Sequence, residues 1–550
     1  MLALLLSALF SFLLFLTLGK WLGNVLNLKL DIIEALLIGL VVANTTTTLV
    51  SLFVPVNSYV LLLVFILSIF LFYVIKQDIA NQLSISKEKY NVVIYSMPFI
   101  IIAFLLSLNS PLIYDTGLYH IQSIKWIEEY SVVTGLANLH GRFGFNSNIF
   151  SLFALTSMSG LFNREIFSIN FTIFIVVLIY YINIIYAQFK NNGLSSILLF
   201  YIIIFLILIQ LSDTLSSPSP DFLNTAIPLF IFTRIAELSR NKNNKVLSDY
   251  IPVIILTFYV ITVKLSTLPL IILPLSIMLY YRIEARKWIW KLCFSGLLIF
   301  SPWLIRNILL SGWLLYPFAG LNLFHFDWQV PVGKVLEEKN AVVGWARIPG
   351  EHYLDAIKMT FSEWVPIWWQ RVVFINRIII ATALLAPMTI LLKLIIKKTK
   401  PEIFPLAIVF TSLSGTVFWF SSAPDFRFGI AFIIILALSP LLYFNFNWIP
   451  KQKTARYLST IIILLFAYFV FQNKEQLIDF DNKISSVIVY PKKLKVPEDI
   501  NFDTCNYNGV VFYFPTSGDR CFDYCIPCSP SKPLFIEMRG KTLKDGFRPK

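Results

Sequence analysis

Long apolar stretches recur along the whole chain, and each ends at a charged residue or at a cluster of proline, asparagine and serine. Their lengths, about 15 to 24 residues, are those of helices that cross the hydrocarbon core of a bilayer. The seventh to tenth stretches are at the lower limit for spanning, which tilting or shielding by neighbouring helices accommodates. The pattern predicts about fourteen transmembrane helices, at residues 1–19, 32–55, 59–75, 92–108, 168–189, 195–211, 222–235, 250–263, 267–281, 292–305, 374–392, 403–420, 428–446 and 457–471.

The composition agrees with this pattern. Of 550 residues, 57% are hydrophobic and 14% are charged, whereas a soluble domain carries roughly 25% charged residues. A water-soluble fold, a disordered chain and a coiled coil are therefore excluded, and we predict an all-α polytopic membrane protein whose partner is the lipid bilayer. The net charge of +14 is explained by membrane topology, because basic residues are retained in the cytoplasmic loops of membrane proteins. Nucleic acid is therefore not an expected partner.

Lysine and arginine concentrate in alternate short loops, as is typical of loops that stay in the cytoplasm. The intervening short loops, such as 57–58 and 212–221, have no basic residue. We therefore predict a multi-pass protein of the cytoplasmic membrane with both termini on the extracytoplasmic side. The basic loops contain Lys20, Lys29, Lys76, Lys87, Lys89, Arg234, Arg240, Lys242, Lys245, Arg282, Arg286, Lys287, Lys291, Lys393, Lys397, Lys398, Lys400, Lys451, Lys453 and Arg456.

This orientation places every long polar segment on the outer side. Two segments are loops, 109–167 and 306–373, and a third follows the last predicted span. We predict a membrane module over residues 1–471 and a small extracytoplasmic domain over residues 472–550. The alternation of apolar residues at 510–514 indicates a strand, so this domain is expected to be α/β or mostly β.

Four of the five cysteines lie in the last segment, at Cys505, Cys521, Cys525 and Cys528. The extracytoplasmic space is oxidising, so we predict two disulfides and leave three pairings open. The alternative is a zinc site, because Cys525 and Cys528 have the spacing of metal ligands. Disulfides are favoured because the loop charges place this segment outside independently.

The first long outer loop contains a candidate catalytic residue, Asp115. Leu118, Ile121 and Ile124 recur at helical spacing, which predicts a short amphipathic helix on the membrane surface. Asp115 precedes its first turn, so it is either an N-cap or a carboxylate that acts as a general base or metal ligand at the membrane boundary.

The same loop is rich in groups that bind sugar hydroxyls or phosphate. His120 follows Asp115, and His140, Arg142 and Asn146 lie among glycines further along. These four residues are candidate substrate ligands, although an ordinary solvated loop has the same composition.

Charged residues also lie at the outer ends of spans. Asp221 and Asp425 each follow a proline at the start of a span, where an N-cap is the alternative to a substrate ligand. Arg427, Lys264 and Arg306 lie in or at the end of apolar segments, where a cation is costly unless it meets an anion or a cavity. They indicate binding of a lipid phosphate or pyrophosphate, and snorkelling to the headgroups is the alternative.

Together these residues resemble the bacterial GT-C-type membrane glycosyltransferases, and most closely a largely uncharacterised group of bacterial membrane proteins of that shape. The likeness of architecture covers nearly the whole chain, while its motifs are short. The motifs are Tyr114-Asp-Thr-Gly-Leu-Tyr-His120, Gly135-Leu-Ala-Asn-Leu-His140, Pro302-Trp-Leu-Ile-Arg306-Asn307 followed by Gly312-x-x-x-Tyr316-Pro317, and Gly518-Asp-Arg-Cys521, Pro527-Cys528 and Arg539-Gly-Lys-Thr-Leu-Lys-Asp-Gly546 in the last segment.

The resemblance implies a GT-C-like fold in the bacterial inner membrane. It implies transfer of a sugar from a polyprenyl phosphate or pyrophosphate to a glycan, lipid or protein acceptor, with inversion at the anomeric carbon. Asp115 occupies the position of the family's catalytic carboxylate and would be the general base, while Lys264, Arg306 and Arg427 would stabilise the departing phosphate. Thr116 follows where many relatives carry a second acidic residue, so no metal ligands are assigned, and a divalent cation is the one cofactor considered.

Two other functions fit a polytopic membrane protein. An O-antigen ligase or polymerase would be expected to use residues of the late outer loop, here Arg347, His352 and Arg371. A transporter or flippase of lipid-linked sugars would be expected to show internal repeats and midplane charges. The sequence shows no convincing repeat, and its charges gather at the outer boundary, which favours surface chemistry.

Overall fold

A computed structural model of the chain describes residues 1–83, 87–240, 245–398, 402–444, 446–449, 454–481 and 487–550. Lys242, Lys400, Lys451 and Lys453 of the predicted basic loops lie outside these residues. The described chain is mostly helical, as its apolar composition predicts.

The helices follow the apolar stretches closely, since a backbone in lipid must satisfy its own hydrogen bonds. In chain order they are α1 (Leu2–Leu26), α2 (Ile32–Ser51), α3 (Ser58–Leu83), α4 (Lys87–Ser107), α5 (Ile121–Glu129), α6 (Ile149–Thr156), α7 (Ser159–Phe162), α8 (Ile169–Asn192), α9 (Ser196–Gln210), α10 (Asp221–Arg240), α11 (Ile251–Val263), α12 (Ile272–Tyr280), α13 (Arg282–Ser311), α14 (Val332–Arg347), α15 (Tyr353–Lys358), α16 (Phe361–Arg371), α17 (Phe374–Lys397), α18 (Ile403–Ser422), α19 (Phe426–Leu438), α20 (Pro440–Tyr443), α21 (Thr454–Gln472) and α22 (Lys474–Asp481).

Within the described residues, 11 helices are long and apolar enough to cross a membrane. The molecule is therefore a polytopic helical membrane protein, as predicted. Each of these 11 helices overlaps one of the fourteen predicted spans, and the other three predicted spans fall on shorter apolar helices at Leu247–Val263, Leu265–Tyr280 and Tyr457–Gln472.

Six short strands form three antiparallel pairs among the described residues. Two of the pairs follow residue 500, and the predicted strand at 510–514 is confirmed as β4. The boundary between residues 471 and 472 remains a prediction. The strands are β1 (Leu194–Ser195), β2 (Asn447–Ile449), β3 (Phe502–Tyr507), β4 (Val510–Pro515), β5 (Ile536–Met538) and β6 (Phe547–Pro549), paired as β1 with β2, β3 with β4 and β5 with β6.

The first two helices pack with their backbones in unusually close approach. A Cβ atom on Gly39 of α2 would lie 1.7 Å from the carbonyl oxygen of Phe15, and one on Gly19 of α1 would lie 1.8 Å from that of Ala35. Two glycines thus let the helices meet backbone to backbone, a packing device common between membrane helices.

Charged groups occupy both ends of α10. Near one end, Arg234 donates to Glu34 of α2 and to Glu237, each at 2.8 Å. Asp221 is the first residue at the other end. At 1.5 Å per residue the two residues are about 20 Å apart along the helix axis, so Asp221 and Arg234 lie toward opposite ends of α10.

Candidate functional site

Asp115 lies in the segment between the end of α4 at Ser107 and the helical turn that begins at Thr116. It directly precedes a single π-helical turn, Thr116–His120, which continues into α5. The Asp115 carboxylate makes no cap hydrogen bond to this turn, so the N-cap alternative is not supported. Instead Oδ2 accepts a hydrogen bond of 3.3 Å from Nη1 of Arg427, and the side chain is 20% exposed.

Arg427 is held by the start of its own helix. Asp425 caps α19, accepting from the Arg427 backbone N–H at 3.1 Å and from the guanidinium Nε at 3.0 Å. Nη1 of Arg427 also lies 3.8 Å from Oδ2 of Asp221. The guanidinium is therefore shared by three aspartates from different parts of the chain, yet it remains 46% exposed.

Lys264 lies at a break between two half-helices. α11 ends at Val263, Lys264 is extended, and a 3-10 segment, Leu265–Ile271, leads into α12. Irregular backbone at a membrane helix is tolerated where it is buried in protein or lines a cavity. The Lys264 ammonium forms an ion pair with Oδ1 of Asp221.

One aromatic ring lies against both cations of this site. The Phe428 ring centroid is 4.1 Å from the Lys264 ammonium and 4.8 Å from the Arg427 guanidinium carbon. Both contacts are within cation–π range. Phe428 was not among the candidates predicted from the sequence, and its place directly after Arg427 is the signal that could have identified it.

We refer to these five charged residues, Asp115, Asp221, Lys264, Asp425 and Arg427, as the ion-pair cluster. All five were predicted as candidates from sequence, and the structure brings them together. Three carboxylates face two cations, which leaves one negative charge in excess when all five are ionised.

The three carboxylates of the cluster differ in whether both of their oxygen atoms already have a partner. Both oxygens of Asp221 face cations, and both oxygens of Asp425 accept from Arg427. Oδ1 of Asp115 has no hydrogen-bond partner within the described part of the chain. Asp115 is therefore the cluster carboxylate that has an oxygen available to take a proton from a bound hydroxyl group.

A divalent cation does not fit this arrangement well. Among the described residues, no three His, Cys, Asp or Glu side chains are placed to hold a metal. The oxygens of Asp221 and Asp425 already face Lys264 and Arg427. The chemistry of this site is therefore assigned to its side chains alone.

His120 lies behind the cluster. Its side chain is 1% exposed, its ring is 5.4 Å from that of Phe150, and Nδ1 is 3.5 Å from the Thr116 hydroxyl oxygen. Burial lowers the pKa of His120 to about 4, although Asp115 and Asp221 oppose this shift. The imidazole is therefore neutral at physiological pH and supports the turn rather than facing a ligand directly.

His140, Arg142 and Asn146 lie together in a second group. Nε of Arg142 is 3.2 Å from Oε2 of Glu338 on α14, and Asn146 donates to Asn307 at 2.9 Å. Burial lowers the pKa of His140 to about 3. Arg142 and Asn146 thus contact α14 and α13, and the His140 ring lies 5.0 Å from that of Phe143. None of these contacts is with a residue of the ion-pair cluster.

Arg306 does not join the other two predicted cations. It is 5% exposed on α13 and donates to the Ser51 hydroxyl of α2 at 3.0 Å. The prediction that three cations meet at one membrane boundary is therefore corrected to two, because Arg306 faces the packed interface between helices.

The residues expected for a ligase make separate contacts. Arg371 pairs with Glu351 at 3.0 Å, and the Arg347 guanidinium lies 4.8 Å from the Trp364 ring. His352 lies beside Tyr353, with ring centroids 5.0 Å apart. Each of the three has its own local partner.

The structure forms one of the two predicted disulfides. Cys521 is bonded to Cys528, whereas Cys505 and Cys525 are free. Cys505 lies on β3 opposite Phe512, and Cys525 is exposed within the loop that the bond closes. The prediction of two disulfides is therefore corrected to one, and Cys528 is not a free thiolate for zinc.

The loop around this disulfide packs on the turn that follows Asp115. The Phe522 N–H donates to the Gly117 carbonyl at 2.8 Å, and the Gln122 amide donates to the carbonyls of Phe522 at 3.2 Å and Tyr524 at 3.0 Å. The motif around Cys521 is recognisable in the sequence, but its place beside Asp115 is not, since a separation of about 400 residues gives no sequence signal for pairing.

Comparison with known proteins shows a match to one family model. Residues 1–434 match the model of a family described as a domain of unknown function (DUF8201). No curated protein and no solved structure matches the chain. The matched range includes the whole ion-pair cluster.

Proposed function

Since this chain belongs to the DUF8201 family, whose description names no activity, we propose its function from the ion-pair cluster. We propose that it is a membrane glycosyltransferase that moves a sugar from a polyprenyl phosphate or pyrophosphate to a hydroxyl group of a glycan, lipid or protein. The observation that carries the proposal is the free Oδ1 of Asp115 beside two partly exposed cations.

The chemistry follows from these groups. Oδ1 of Asp115 takes the proton of the acceptor hydroxyl group while the oxygen of that hydroxyl group forms a bond to the anomeric carbon. The bond from that carbon to the phosphate oxygen breaks on the opposite face, and its electron pair leaves with the phosphate, so the configuration inverts. Arg427 and Lys264 stabilise the negative charge that develops on the leaving phosphate.

Arg427 keeps donors available for this task. Its Nε and Nη1 face Asp425, Asp115 and Asp221, whereas Nη2 has no partner among the residues described. An exposed guanidinium edge suits an oxyanion, because charge-assisted hydrogen bonds from arginine to phosphate are strong and directional. The aspartates hold that edge in a fixed orientation.

The position of the cluster suits a lipid-linked donor. Asp221 and Arg427 lie at the starts of two membrane-spanning helices, and Lys264 lies at a helix break. A donor with a polyprenyl chain keeps its phosphate at the membrane boundary, so the reacting groups of the enzyme are needed there.

We place this boundary on the extracytoplasmic side of a bacterial inner membrane. The basic short loops then face the cytoplasm, and both termini, the loops 109–167 and 306–373 and the segment 472–550 lie outside. A disulfide between Cys521 and Cys528 suits an oxidising compartment. A GT-C-like module of fourteen spans would include the three shorter apolar helices as partly shielded spans.

Replacing Asp115 by asparagine tests the proposal. Asparagine keeps the size of the side chain but cannot take the proton, so we expect the transfer rate to fall by at least about 100-fold. Membranes containing the protein are incubated with polyprenyl phosphate that carries a radiolabelled sugar, and label that leaves the lipid for glycan, glycolipid or protein is counted. Asp355→Asn is the control, because Asp355 is an exposed residue of α15.

Two outcomes would contradict the proposal. Full transfer by Asp115→Asn would remove the general-base role. Label that crosses the membrane while it stays on its lipid would instead indicate a transporter of lipid-linked sugars.

A further inference from the structure

The segment Asp519–Tyr524 lies directly against the π-turn that begins after Asp115. Besides the backbone bond between Phe522 and Gly117, the Asp519 carboxylate accepts from the Tyr114 hydroxyl. Tyr114 immediately precedes Asp115. The segment therefore touches the turn on both sides of the proposed catalytic residue.

A buried ion pair holds this segment in place. The Asp523 side chain is 3% exposed and forms ion pairs with Lys125 of α5 and with Lys493. Lys125 also donates to the backbone carbonyls of Asp523 and Tyr524, each at 3.2 Å. A buried carboxylate with two cationic partners is costly to expose, so the segment is a fixed part of the structure rather than a loose end.

Arg520 is the cation that this segment brings to the turn, next to the Asp519 carboxylate. Its guanidinium carbon lies 4.6 Å from the Tyr114 ring centroid and 4.5 Å from the Phe522 ring centroid. Its Cδ would lie 3.5 Å from a Cβ atom on Gly117, two residues after Asp115. Within the described ranges no carboxylate oxygen lies within 4 Å of its guanidinium, so its N–H donors are not taken up by an ion pair.

The charges at the site suggest that a further cation would help to bind a phosphate there. The ion-pair cluster carries one negative charge in excess, whereas its proposed ligand is a phosphate or pyrophosphate. Because Asp519 of the same segment also lies at the turn, the segment adds no net charge, and what Arg520 contributes is a third set of cationic donors beside those of Lys264 and Arg427. Arginine is suited to this role because its planar guanidinium binds two phosphate oxygens at once.

We propose that Arg520 is a phosphate-binding residue of this site, delivered to it by the segment Asp519–Tyr524. Arg520 and Nη2 of Arg427 bind the phosphate of the polyprenyl donor, while Tyr114 and Phe522 orient the Arg520 guanidinium. This rests on the proposed function for the identity of the ligand. It adds a residue that lies outside the range matched by the family model.

Binding of a polyprenyl phosphate without sugar separates this role from simple packing. The full-length protein in lipid nanodiscs is titrated with polyprenyl phosphate, and with the corresponding uncharged polyprenol, and bound lipid is measured by native mass spectrometry. The variants are Arg520→Gln, which removes the charge, and Arg520→Lys, which keeps it. The control is Arg548→Gln, because Arg548 is an exposed arginine of β6 that pairs with Glu537 at 3.0 Å.

We expect Arg520→Gln to weaken polyprenyl phosphate binding by at least about tenfold, with polyprenol binding unchanged. Arg520→Lys retains most of the affinity, and Arg548→Gln binds as the wild type does. Wild-type affinity in Arg520→Gln would overturn the role of Arg520 while leaving the proposed transferase intact. Equal losses of thermal stability and of both lipids in the glutamine and lysine variants would also overturn it, because that pattern is expected of cation–π packing.

A wild-type protein that binds polyprenyl phosphate no better than polyprenol would overturn the proposed function together with this inference. The Asp115→Asn experiment distinguishes the two failures. Transfer that depends on Asp115 but not on Arg520 would leave only the donor-binding assignment wrong.

Discussion

At the scale of single residues, similar sequence contexts lead to different roles. Asp115, Asp221 and Asp425 each stand at the start of a helical segment, and each was predicted as either a cap or a functional carboxylate. Asp425 caps its helix and also holds Arg427, whereas the Asp115 carboxylate contacts Arg427 of α19 and the Asp221 carboxylate contacts Lys264 at the helix break. Local sequence identifies the candidates, but only tertiary packing determines which partner each carboxylate contacts.

The limits of prediction at this scale are physical. Charged residues at the ends of apolar stretches are costly without a partner, which is why the five cluster residues could be chosen from sequence. The partner itself is not encoded locally, since Arg427 follows Asp115 by 312 residues. Phe428 was missed because an aromatic residue in an apolar span is ordinary until two cations lie on its ring.

The neutral His120 gives the stability of the protein a pH dependence. Its pKa is about 4 in the folded protein, against an ordinary value of 6.5. The unfolded chain therefore binds a proton that the folded chain does not, so stability is fully present above pH 6.5 and is lost as the pH falls toward 4. The difference corresponds to about 3 kcal/mol.

We expect His120→Gln to flatten this dependence. Thermal unfolding in detergent is followed from pH 4.5 to pH 7 for both proteins. The wild type should lose more stability on acidification than the variant, whatever the difference between them at pH 7. Parallel pH profiles would show that His120 is not a buried neutral group.

At the scale of elements, apolar length predicted the helices well and the irregular segments poorly. The predicted gap between two short spans became the helix break at Lys264. The amphipathic helix after Asp115 is present as α5, but the π-turn Thr116–His120 that precedes it was not predicted. Its shape is tied to tertiary contacts, among them the bond from Phe522 to Gly117, which no local pattern contains.

The contact between α1 and α2 provides a test of element packing. A Cβ atom on Gly39 would lie 1.7 Å from a backbone oxygen of Phe15, so Gly39→Ala must push the helices apart. We expect Gly39→Ala to destabilise the protein by about 1–3 kcal/mol. The matched control is Gly296→Ala, because a Cβ atom there would have its nearest neighbour at 3.6 Å.

Thermal unfolding of the two alanine variants in detergent measures the difference. Gly296→Ala should be neutral or slightly stabilising, since alanine favours a helix over glycine. Equal stability of the two variants would show that α1 and α2 do not meet backbone to backbone.

At the scale of the whole molecule, hydropathy predicted a polytopic helical protein, and the structure agrees. What hydropathy could not predict is that the candidate site is assembled from five separated parts of the chain. The turn after Asp115, the starts of α10 and α19, the break at Lys264 and the disulfide loop each contribute to it.

The orientation in the membrane can be measured with a natural reporter. Cys525 is free and exposed in the disulfide loop, and we place it outside the cytoplasm. In a Cys505→Ser background, needed because Cys505 is also free and only half-buried, a membrane-impermeant maleimide should label Cys525 in intact spheroplasts, and Cys525→Ser should remove that label. In a background lacking the native free cysteines, Lys287→Cys should be labelled only after permeabilisation, whereas the reverse pattern would invert the topology.

The sequence separations within the ion-pair cluster have a consequence for synthesis of the protein. Lys264 follows Asp221 by 43 residues, so that pair can form soon after α10 and α11 have entered the membrane. Asp115 has to wait until α19 emerges from the ribosome with Arg427, 312 residues later. The translocation machinery thus releases a nearly complete bundle of helices before the proposed catalytic carboxylate meets its counter-charge, so a partly synthesised chain has no assembled site.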